Sequence, residues 1–385
     1  MIILRRPTGP TFRVRLLAAT AVLLAWLLAA APAVAQLQPA PQPSWYTNGA
    51  VKAVVVLHGV VYLGGTFTAV SDSSGQTVAR TDLAAIDAAT GVVTSWNPRA
   101  AGPVLALATD GADTVYAGGP FTSVGGLPRH GLAAISTSGT VLPWQGQVGS
   151  GEVHALRFAP GRLYVGGGFA WVDGVRRSNL AAVDPVSGAL LGWNPAPDGI
   201  VWAIRVDAAH VFVGGRFQHV GSSRQSHIAA LDPATGLPLP WSYYPYRAAV
   251  LSLTEADGLL VAGLAGNGGR VIAMHVTGGR LAWARWTDGN VKAVAIADGQ
   301  VVAGGHFMNL CSAGSGEPCN EPIAAHHLFA ADLRTGLPSG WHPPVNGVLG
   351  AFALFGTSSA LVVGGDFTTV SGANQPYYAR FVAGG

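Results

Sequence analysis

The feature that most constrains this chain is a unit that recurs about every 48 residues. Most copies carry a strand-like run ending in Gly-Gly-x-Phe, then an Ala-rich run, then a Thr-Gly or Ser-Gly pair with a Trp five positions after the Gly. The Gly and Trp positions are Gly91/Trp96, Gly139/Trp144, Gly188/Trp193, Gly236/Trp241, Gly278/Trp283 and Gly336/Trp341. A repeat of this length, with four strand-like runs per unit, is typical of a β-propeller.

Counting the units predicts an all-β, seven-bladed β-propeller with four-stranded blades. The units start near Val51, Val104, Val153, Val201, Val250, Val291 and Gly350. The seventh unit ends without a Trp strand, whereas "PSWYTNG" at residues 43–49 matches an outer strand and its crossover. We therefore predict that an N-terminal outer strand around Trp45 completes the last blade and closes the ring, since an open propeller would leave strand edges bare.

These residues resemble a secreted bacterial family of propeller repeats of unknown function, the delta-type repeats with "GG-x-F" and "R-x-x-LA" signatures. The resemblance covers about residues 43–385 and implies the propeller fold without implying an activity. The stretch "AIDAATGVVTSW" at residues 85–96 also resembles the Trp-docking repeat of quinoprotein propellers, with a Gly-to-Trp spacing one residue longer. This second resemblance implies kinship within the quinoprotein-like and WD-type propeller superfamily, and it does not imply an inherited cofactor.

The first 35 residues read as a signal peptide. Four arginines precede an apolar run at residues 16–31, and "AVA" precedes Gln36, which predicts cleavage between Ala35 and Gln36. The alternative is an uncleaved membrane anchor, although the apolar run is short for a span. We assign residues 1–35 to the signal, 36–42 to a Pro-rich spacer and 43–385 to the propeller. The protein is then secreted or otherwise extracytoplasmic, by the general or the twin-arginine route.

The charge of the mature chain argues against nucleic-acid binding. The signal segment holds four of the 22 basic residues and no acid, so 18 basic residues stand against 19 acidic ones. No run of Lys or Arg follows the signal segment, and a nucleic-acid surface needs one. No second apolar span of comparable length occurs, so we expect no membrane span after cleavage and a monomer.

Residues that recur at the same position in several repeats are better explained by the fold than by a function. No helical pattern follows the Gly pairs, so they do not predict a phosphate loop, and the turn aspartates at equivalent repeat positions should cap turns rather than gather around a metal. Cationic and aromatic side chains near the loops between second and third strands form a candidate ligand face: Arg80, Arg129, Trp171, Arg176, Arg177, His219, Arg224, His326 and His327. The alternative is that each Arg ties its own loop to backbone carbonyls of the neighbouring blade.

The largest departure from the repeat is the loop at residues 308–327, which holds both cysteines. In an exported protein, Cys311 and Cys319 should form a disulfide that stiffens this loop. A metal set formed by both cysteines with His326 and His327 is the alternative, but its spacing matches no standard zinc pattern.

Five polar or aromatic residues fall in the predicted inner strands and are candidates to line the channel: Lys52, His154, Trp202, Arg205 and Lys292. No GxSxG or HExxH motif occurs. We therefore expect a non-enzymatic binding module for a protein or carbohydrate at the cell exterior, with no cofactor. The alternatives are a quinoprotein-like oxidoreductase, a polysaccharide-active enzyme on a propeller scaffold, and an architectural surface-layer protein.

Overall fold

A computed structural model describes residues 36–241, 247–266, 268–311 and 322–384. The predicted signal segment, including Ala35, and the second cysteine, Cys319, lie outside the described residues. Every regular element in the described part of the chain is a β-strand, so the all-β prediction is confirmed. In that same part, no helix is long and apolar enough to cross a membrane.

Twenty strands lie between residues 36 and 231, the first part of the described chain. They are β1 Tyr46–Thr47, β2 Val51–Leu57, β3 Val60–Gly65, β4 Ala69–Ser71, β5 Thr77–Ala79, β6 Leu83–Asp87, β7 Ala106–Thr109, β8 Thr114–Gly118, β9 Ser123–Val124, β10 Leu127–Pro128, β11 Leu132–Ser136, β12 Val148–Ala159, β13 Arg162–Val172, β14 Val175–Arg176, β15 Leu180–Val183, β16 Ile200–Val206, β17 Val211–Arg216, β18 His219–Val220, β19 Ser223–Arg224 and β20 Ile228–Leu231.

Fourteen further strands follow in the rest of the described chain. They are β21 Val250–Ala256, β22 Leu259–Leu264, β23 Arg270–His275, β24 Leu281–Trp286, β25 Val291–Ala297, β26 Gln300–Gly305, β27 Asn309–Cys311, β28 Pro322–Ala324, β29 Leu328–Asp332, β30 Ala351–Gly356, β31 Ala360–Gly365, β32 Thr369–Val370, β33 Ala373–Asn374 and β34 Tyr378–Val382.

The longer strands pair into antiparallel sheets of consecutive strands, numbered here in chain order. Within the described residues these are sheet 1 (β2-β3-β6), sheet 2 (β7-β8-β11), sheet 3 (β12-β13-β15), sheet 4 (β16-β17-β20), sheet 5 (β21-β22-β23-β24), sheet 6 (β25-β26-β29) and sheet 7 (β30-β31-β34). Short hairpins such as β4-β5 and β18-β19 lie between the second and third strands of most sheets. Each sheet therefore corresponds to one sequence repeat.

The core lies between neighbouring sheets rather than inside any one of them. One cluster joins Tyr62 and Leu83 of sheet 1 to Val104 and Leu107, which belong to the second repeat. The strands are thus apolar on both faces, which explains why the mature chain needs so few charges. The first Gly of each Gly-Gly pair permits this packing. A Cβ on Gly118 would lie 2.5 Å from Cγ1 of Val153 in the next sheet.

The second Gly of the pair has a different reason. A Cβ on Gly65 would lie 2.1 Å from the carbonyl oxygen of Ala50, and one on Gly119 would lie 2.1 Å from that of Pro103. Real Cβ atoms do not approach backbone so closely, so both positions of the pair require glycine. At the second Gly the clash would be with neighbouring backbone, whereas at the first it would be with a side chain of the next sheet.

The predicted outer strands are much reduced. Only sheet 5, among the described residues, has a regular fourth strand, β24. Elsewhere one bridge joins the third strand to the outer segment, such as Val183 to Leu190 or Ile86 to Val93. The physical reason is that the chain turns away just before the Trp that recurs in the repeats, as where Trp144 N–H donates to the carbonyl of Leu142.

Indole groups connect each of these outer segments to the following repeat. Trp193 Nε1 donates to the carbonyl of Asp232 over 3.1 Å, and Trp144 Nε1 donates to the carbonyl of Pro185 over 3.2 Å. Trp96, Trp241 and Trp283 make corresponding bonds to the next repeat. The Trp period in the sequence therefore marks a bond between repeats.

The turn aspartates cap turns, as the sequence predicts. Asp184 Oδ1 accepts hydrogen bonds from the backbone N–H groups of Val186 and Ser187 and from the Ser187 hydroxyl. These donors stabilise the ionised carboxylate and lower the pKa of Asp184. Asp87, Asp232 and Asp332 do the same in their own turns.

The N-terminal segment joins the last sheet. Leu37 is buried and forms an antiparallel bridge with Ala383, and the amides of Gln38 and Gln42 donate to the carbonyls of Val382 and Arg380 in β34. Residues 36–42, assigned from the sequence to a spacer, thus pair with β34. Farther along, Trp45 is buried in a cluster that holds Val51 and Ile86 of sheet 1 and Val362 and Tyr378 of sheet 7.

Candidate functional site

The short hairpins and the crossovers between sheets lie at one end of the sheets, and we call this end the hairpin face. First strands begin there and second strands end there, as the pairing of Val51 with Gly65 shows. Within the described residues, isolated backbone bridges join four of the crossovers to the following hairpin, for example Ala100 to Val124 and Pro197 to Val220. The predicted ligand-face residues lie on or beside these hairpins.

Three of the predicted arginines are engaged by backbone carbonyls. The guanidinium groups of Arg80, Arg129 and Arg177 each donate one bond to the preceding residue's carbonyl and one to the outer segment of their own sheet. The second acceptors are Thr94, Leu142 and Leu191, at 2.6, 2.7 and 3.2 Å. Each arginine therefore closes its hairpin onto its own sheet, in three separate repeats. These three guanidinium groups of the predicted ligand face are thus bonded to the protein's own backbone rather than forming a free ring.

Two cross-strand pairs on neighbouring hairpins are exposed. Trp171 lies opposite Arg176, and His219 lies opposite Arg224. Trp171 is 45% exposed, an unusual state for a large aromatic side chain. His219 Nδ1 lies 2.8 Å from Asp198 Oδ2, so this imidazole has a carboxylate partner.

His326 and His327 occupy a strained corner before β29. Their φ angles are 41° and 74°, and non-Gly residues rarely adopt such values. His327 is buried with Nδ1 3.0 Å from the carbonyl oxygen of Gly305, and burial lowers the pKa of its imidazole. His327 is thus a structural residue, whereas His326 is half-buried.

Sequence reasoning missed that the position before the third strand has a left-handed backbone in every sheet except sheet 5. Its occupants are Asp82, Gly131, Asn179, His227, His327 and Tyr377, all with φ between 59° and 74°. In each of these six repeats this residue's N–H donates to the carbonyl of the Gly-Gly-x-Phe phenylalanine, as from Asn179 to Phe169. The signal available in the sequence was the Asp, Gly and Asn at this position, residues that tolerate positive φ.

Cys311 ends β27 and is buried. Its predicted partner, Cys319, lies outside the described residues, so the disulfide stays a prediction. No group of three or more His, Cys, Asp or Glu side chains placed to hold a metal occurs in the described ranges.

One concavity lies between sheets 2 and 3, lined by their hairpins and outer segments, and we call it the 2/3 groove. Its volume is about 620 Å³, within the range of small-molecule and peptide sites. The lining residues are Pro128, Arg129, His130, Trp144, Gln145, Gly146, Gln147, Asp173, Ala189 and Leu190. Of the predicted candidates, only Arg129 lines it, while Trp171 and Arg176 lie on the adjoining hairpin.

Two lining residues of the 2/3 groove, Gln147 and Asp173, are joined by reciprocal hydrogen bonds. Gln147 N–H donates to Asp173 Oδ1 over 3.0 Å, and Asp173 N–H donates back to the carbonyl of Gln147. Burial raises the pKa of Asp173. A second, smaller groove of about 370 Å³ lies at the corresponding place between sheets 6 and 7 and includes Met308, His326 and His327.

A separate cavity of about 240 Å³ is lined by the first strands of all seven sheets, and we call it the axial cavity. It includes three of the five predicted channel residues, namely His154, Trp202 and Lys292. Arg205 lies farther along β16 and forms an ion pair with Glu255 over 3.4 Å. Lys52 contacts Phe352, another lining residue of the cavity.

Comparison with solved structures identifies the architecture. The WD40 β-propeller domain of Doa1 aligns with a TM-score of 0.58 at 12% identity, over 90% of this chain and 97% of that one. The protein has a β-propeller fold. The structure of U3-55K (TM-score 0.60, 11% identity, 89% and 100% coverage) and the RRP9 WD40 repeats (0.58, 12%, 90% and 99%) show the same propeller likeness. At these identities the likeness concerns the fold alone. No protein-family model matches the chain, and no curated protein matches it in sequence.

Proposed function

We propose that this propeller is a non-enzymatic binding scaffold whose partner docks on the hairpin face, centred on the 2/3 groove. The observation that carries the proposal is the combination of that groove with exposed apolar tips beside it. Leu127 on one hairpin is 46% exposed, and Trp171 and Val175 on the next are 45% and 47% exposed. Exposed apolar groups flanking a concave polar site are characteristic of interaction surfaces.

A polypeptide is the partner that this surface suits best. The groove offers Arg129, Gln145 and Gln147 for hydrogen bonding, and Arg176 adds an exposed positive charge. The acidic side chains nearby are occupied, since Asp173 accepts from Gln147 N–H and Asp198 accepts from two backbone amides. The surface therefore favours an extended segment with apolar and acidic side chains. The WD40 domains of similar fold give this role a structural precedent.

The scaffold itself we propose to be a closed, seven-bladed ring. Two observations support closure. The axial cavity is bordered by the first strand of every sheet, and a Cβ on Gly364 of sheet 7 would lie 2.5 Å from Val51 Cγ1 of sheet 1. That is the same relationship that Gly118 has with Val153 one repeat along. The reduced outer segments then act as the fourth strands of the blades, with the N-terminal segment serving the last blade.

We also propose that the protein acts outside the cytoplasm as a monomer. Support comes from the signal-like first 35 residues and from the two cysteines in one loop. Closure supports the monomer, because a closed propeller leaves only the short outer edges of its blades to pair with a second copy.

The test is partner selection on the intact mature chain, residues 36–385. A displayed library of random peptides and a glycan array would be screened, and hits would be measured by calorimetry. Trp171→Ala should weaken binding of the selected peptides at least tenfold, because exposed aromatic residues are frequent hot spots. Leu237→Ala is the matched control, an exposed apolar residue in a turn at the other end of its sheet. Peptide binding that ignores Trp171 and Arg129 substitutions, or selection of glycans alone, would contradict the proposal.

A further inference from the structure

At one position in the repeat, the residue types are not explained by the fold. It is the residue that follows the Val or Ala at the start of each inner-strand repeat motif: Lys52, Leu105, His154, Trp202, Leu251, Lys292 and Phe352. In six sheets the pairing register shifts at this residue, as between Val51 and Ala53 or between Val291 and Ala293. A bulge frees one residue from the ladder and redirects its side chain. Here most of these side chains border the axial cavity near the hairpin face.

The chain contains only two lysines, and both occupy this position. Lys52 belongs to sheet 1 and Lys292 to sheet 6, and Phe352 belongs to sheet 7, which contacts both. The Lys52 ammonium lies 3.4 Å from the centroid of the Phe352 ring, and the Lys292 ammonium lies 4.5 Å from it. Both cations therefore rest against one aromatic ring, a favourable but weak contact.

The two ammonium groups lack close counterions. The ion pairs within the described residues involve His154, Arg205, His210, His219 and Arg334, and neither lysine takes part. Burial lowers the pKa of both lysines, and each positive charge also feels the carboxylate of Asp366. The lysines thus carry a desolvation cost that no carboxylate within ion-pair distance offsets in the described structure.

Within the described residues, Asp366 is the acidic group whose charge acts on both lysines at the mouth of the axial cavity. Its Oδ2 accepts a hydrogen bond from Leu349 N–H over 3.0 Å, while its buried Oδ1 has no hydrogen-bond partner among the described residues. A second acid, Glu152 of sheet 3, lies 3.5 Å from His154 instead. Beside the lysines of sheets 1 and 6, two positive charges thus stand against Asp366 alone, a local excess of about +1.

We propose that the mouth of the axial cavity binds a single carboxylate group carried on an apolar body. One negative charge neutralises the excess of Lys52 and Lys292 over Asp366, whereas a dianion such as phosphate would leave a surplus negative charge in a poorly solvated site. The apolar body would pack on Phe352 and Trp202, and leucines complete the wall. The carboxylate belongs either to a free organic acid or to a polypeptide terminus. This inference stands apart from the 2/3 groove and does not depend on it.

Because the chain has only two lysines, NMR can follow each ammonium group separately. Reductive methylation with ¹³C-formaldehyde labels Lys52, Lys292 and the N-terminal amine, so each ammonium has its own NMR signal. The probes are phenylacetate, neutral phenylacetamide, inorganic phosphate and a short peptide ending in Phe, with a free or an amidated C-terminus. Titrating phenylacetate should shift both lysine signals saturably, and phenylacetamide should not shift them.

Variants test the assignment with unmodified protein and calorimetry. Lys52→Met and Lys292→Met should each weaken phenylacetate binding at least tenfold, with thermal melting used to confirm folding. Lys292→Arg should largely restore binding. Arg334→Met is the matched control, since it removes one positive charge from an exposed surface pair with Asp257, and it should leave the affinity unchanged.

The outcomes separate the two sources of the carboxylate. If the free-terminus peptide binds at least tenfold more tightly than phenylacetate and the amidated peptide does not bind, the natural ligand is a polypeptide terminus. If phenylacetate binds at least as well as the peptide, it is a free acid. Unmoved lysine signals up to 50 mM phenylacetate, equal binding of phenylacetamide, or stronger binding of phosphate would overturn the proposal.

Discussion

The indole Nε1 of Trp341 donates a hydrogen bond to the backbone carbonyl of Gln38, 303 positions earlier in the chain, over 3.2 Å. Every other indole bond of this kind described above runs forward to the next repeat, as from Trp193 to Asp232. The N-terminal segment thus occupies the place that the following turn occupies elsewhere. This relationship gives the start of the mature chain a structural role in the last sheet.

We predict that Trp341→Phe destabilises the protein by about 1–3 kcal/mol, because the substitution leaves the Gln38 carbonyl without its donor and removes packing. Trp193→Phe, which breaks the equivalent bond within the repeat array, should cost a similar amount. Urea denaturation of both variants measures this. A Trp341→Phe variant as stable as the wild type would mean that Gln38 is not held there in solution.

Leu37→Ala should cost about 2–4 kcal/mol, since Leu37 is 4% exposed and packs with the apolar side chains of sheet 7. Val186→Ala is the matched control. Val186 is 87% exposed and should change stability by less than about 0.5 kcal/mol. Deleting residues 36–48 should lower the melting temperature sharply by exposing the edge of β34. Melting unchanged by both alterations would contradict the docking of this segment.

Contact between the last and first sheets can be tested at one glycine. Gly364→Ala places a methyl group 2.5 Å from Val51 Cγ1 and should cost about 1–3 kcal/mol. Gly192→Ala is the control, because nothing lies within 4 Å of its added Cβ. Equal thermal stabilities of the two variants would show that sheet 7 does not pack on sheet 1.

The turn aspartates predict a specific acid sensitivity. Hydrogen bonds from Thr335 lower the pKa of Asp332, and Asp87, Asp184 and Asp232 are lowered for the same reason. A carboxylate with a lower pKa in the folded state stabilises the fold above its unfolded pKa, near 4. That stabilisation is lost as the pH falls through the folded pKa.

Replacing all four aspartates by Asn should therefore flatten the decline in melting temperature between pH 5 and pH 2. Asn keeps an oxygen acceptor but does not titrate. Asp113→Asn, at an exposed loop position, is the control and should retain the wild-type profile. An unchanged acid profile in the fourfold variant would refute this explanation.

The predicted disulfide gives a further outcome. Thiol titration of the unfolded mature protein should find no free thiol before reduction and two after it. Cys311→Ser should then cost about 2–3 kcal/mol, the range for closing a short loop. Two free thiols in unreduced protein from an oxidising compartment would contradict the pairing.

The sequence predicts the repeat architecture because the same packing constraint acts in every unit. A glycine is required wherever the second strand of one sheet packs on the first strand of the following sheet. The Gly-Gly pairs therefore mark the repeat units in the sequence. The role of the turn aspartates can also be predicted from the sequence, because one side chain caps one local turn. Such features depend on near neighbours in the chain and recur several times.

The candidate sites were less accessible to sequence reasoning. For Arg80, Arg129 and Arg177, the sequence left open whether they bind a ligand or backbone carbonyls of the neighbouring blade. Only the structure shows that their acceptors lie on their own sheet. The 2/3 groove depends on the spacing between two hairpins, which no local pattern encodes. The pairing of Lys52 and Lys292 around Phe352 joins residues hundreds of positions apart, although their shared repeat position was visible.

The most direct test of the account is hydrogen exchange of the N-terminal segment in the mature protein, measured by mass spectrometry. The amides of Gln38 and Gln42 donate to carbonyls of β34, so a closed ring predicts that they exchange as slowly as the third strands of the other sheets. Exchange of these amides within seconds, at the rate of an unstructured spacer, would contradict closure of the ring by this segment.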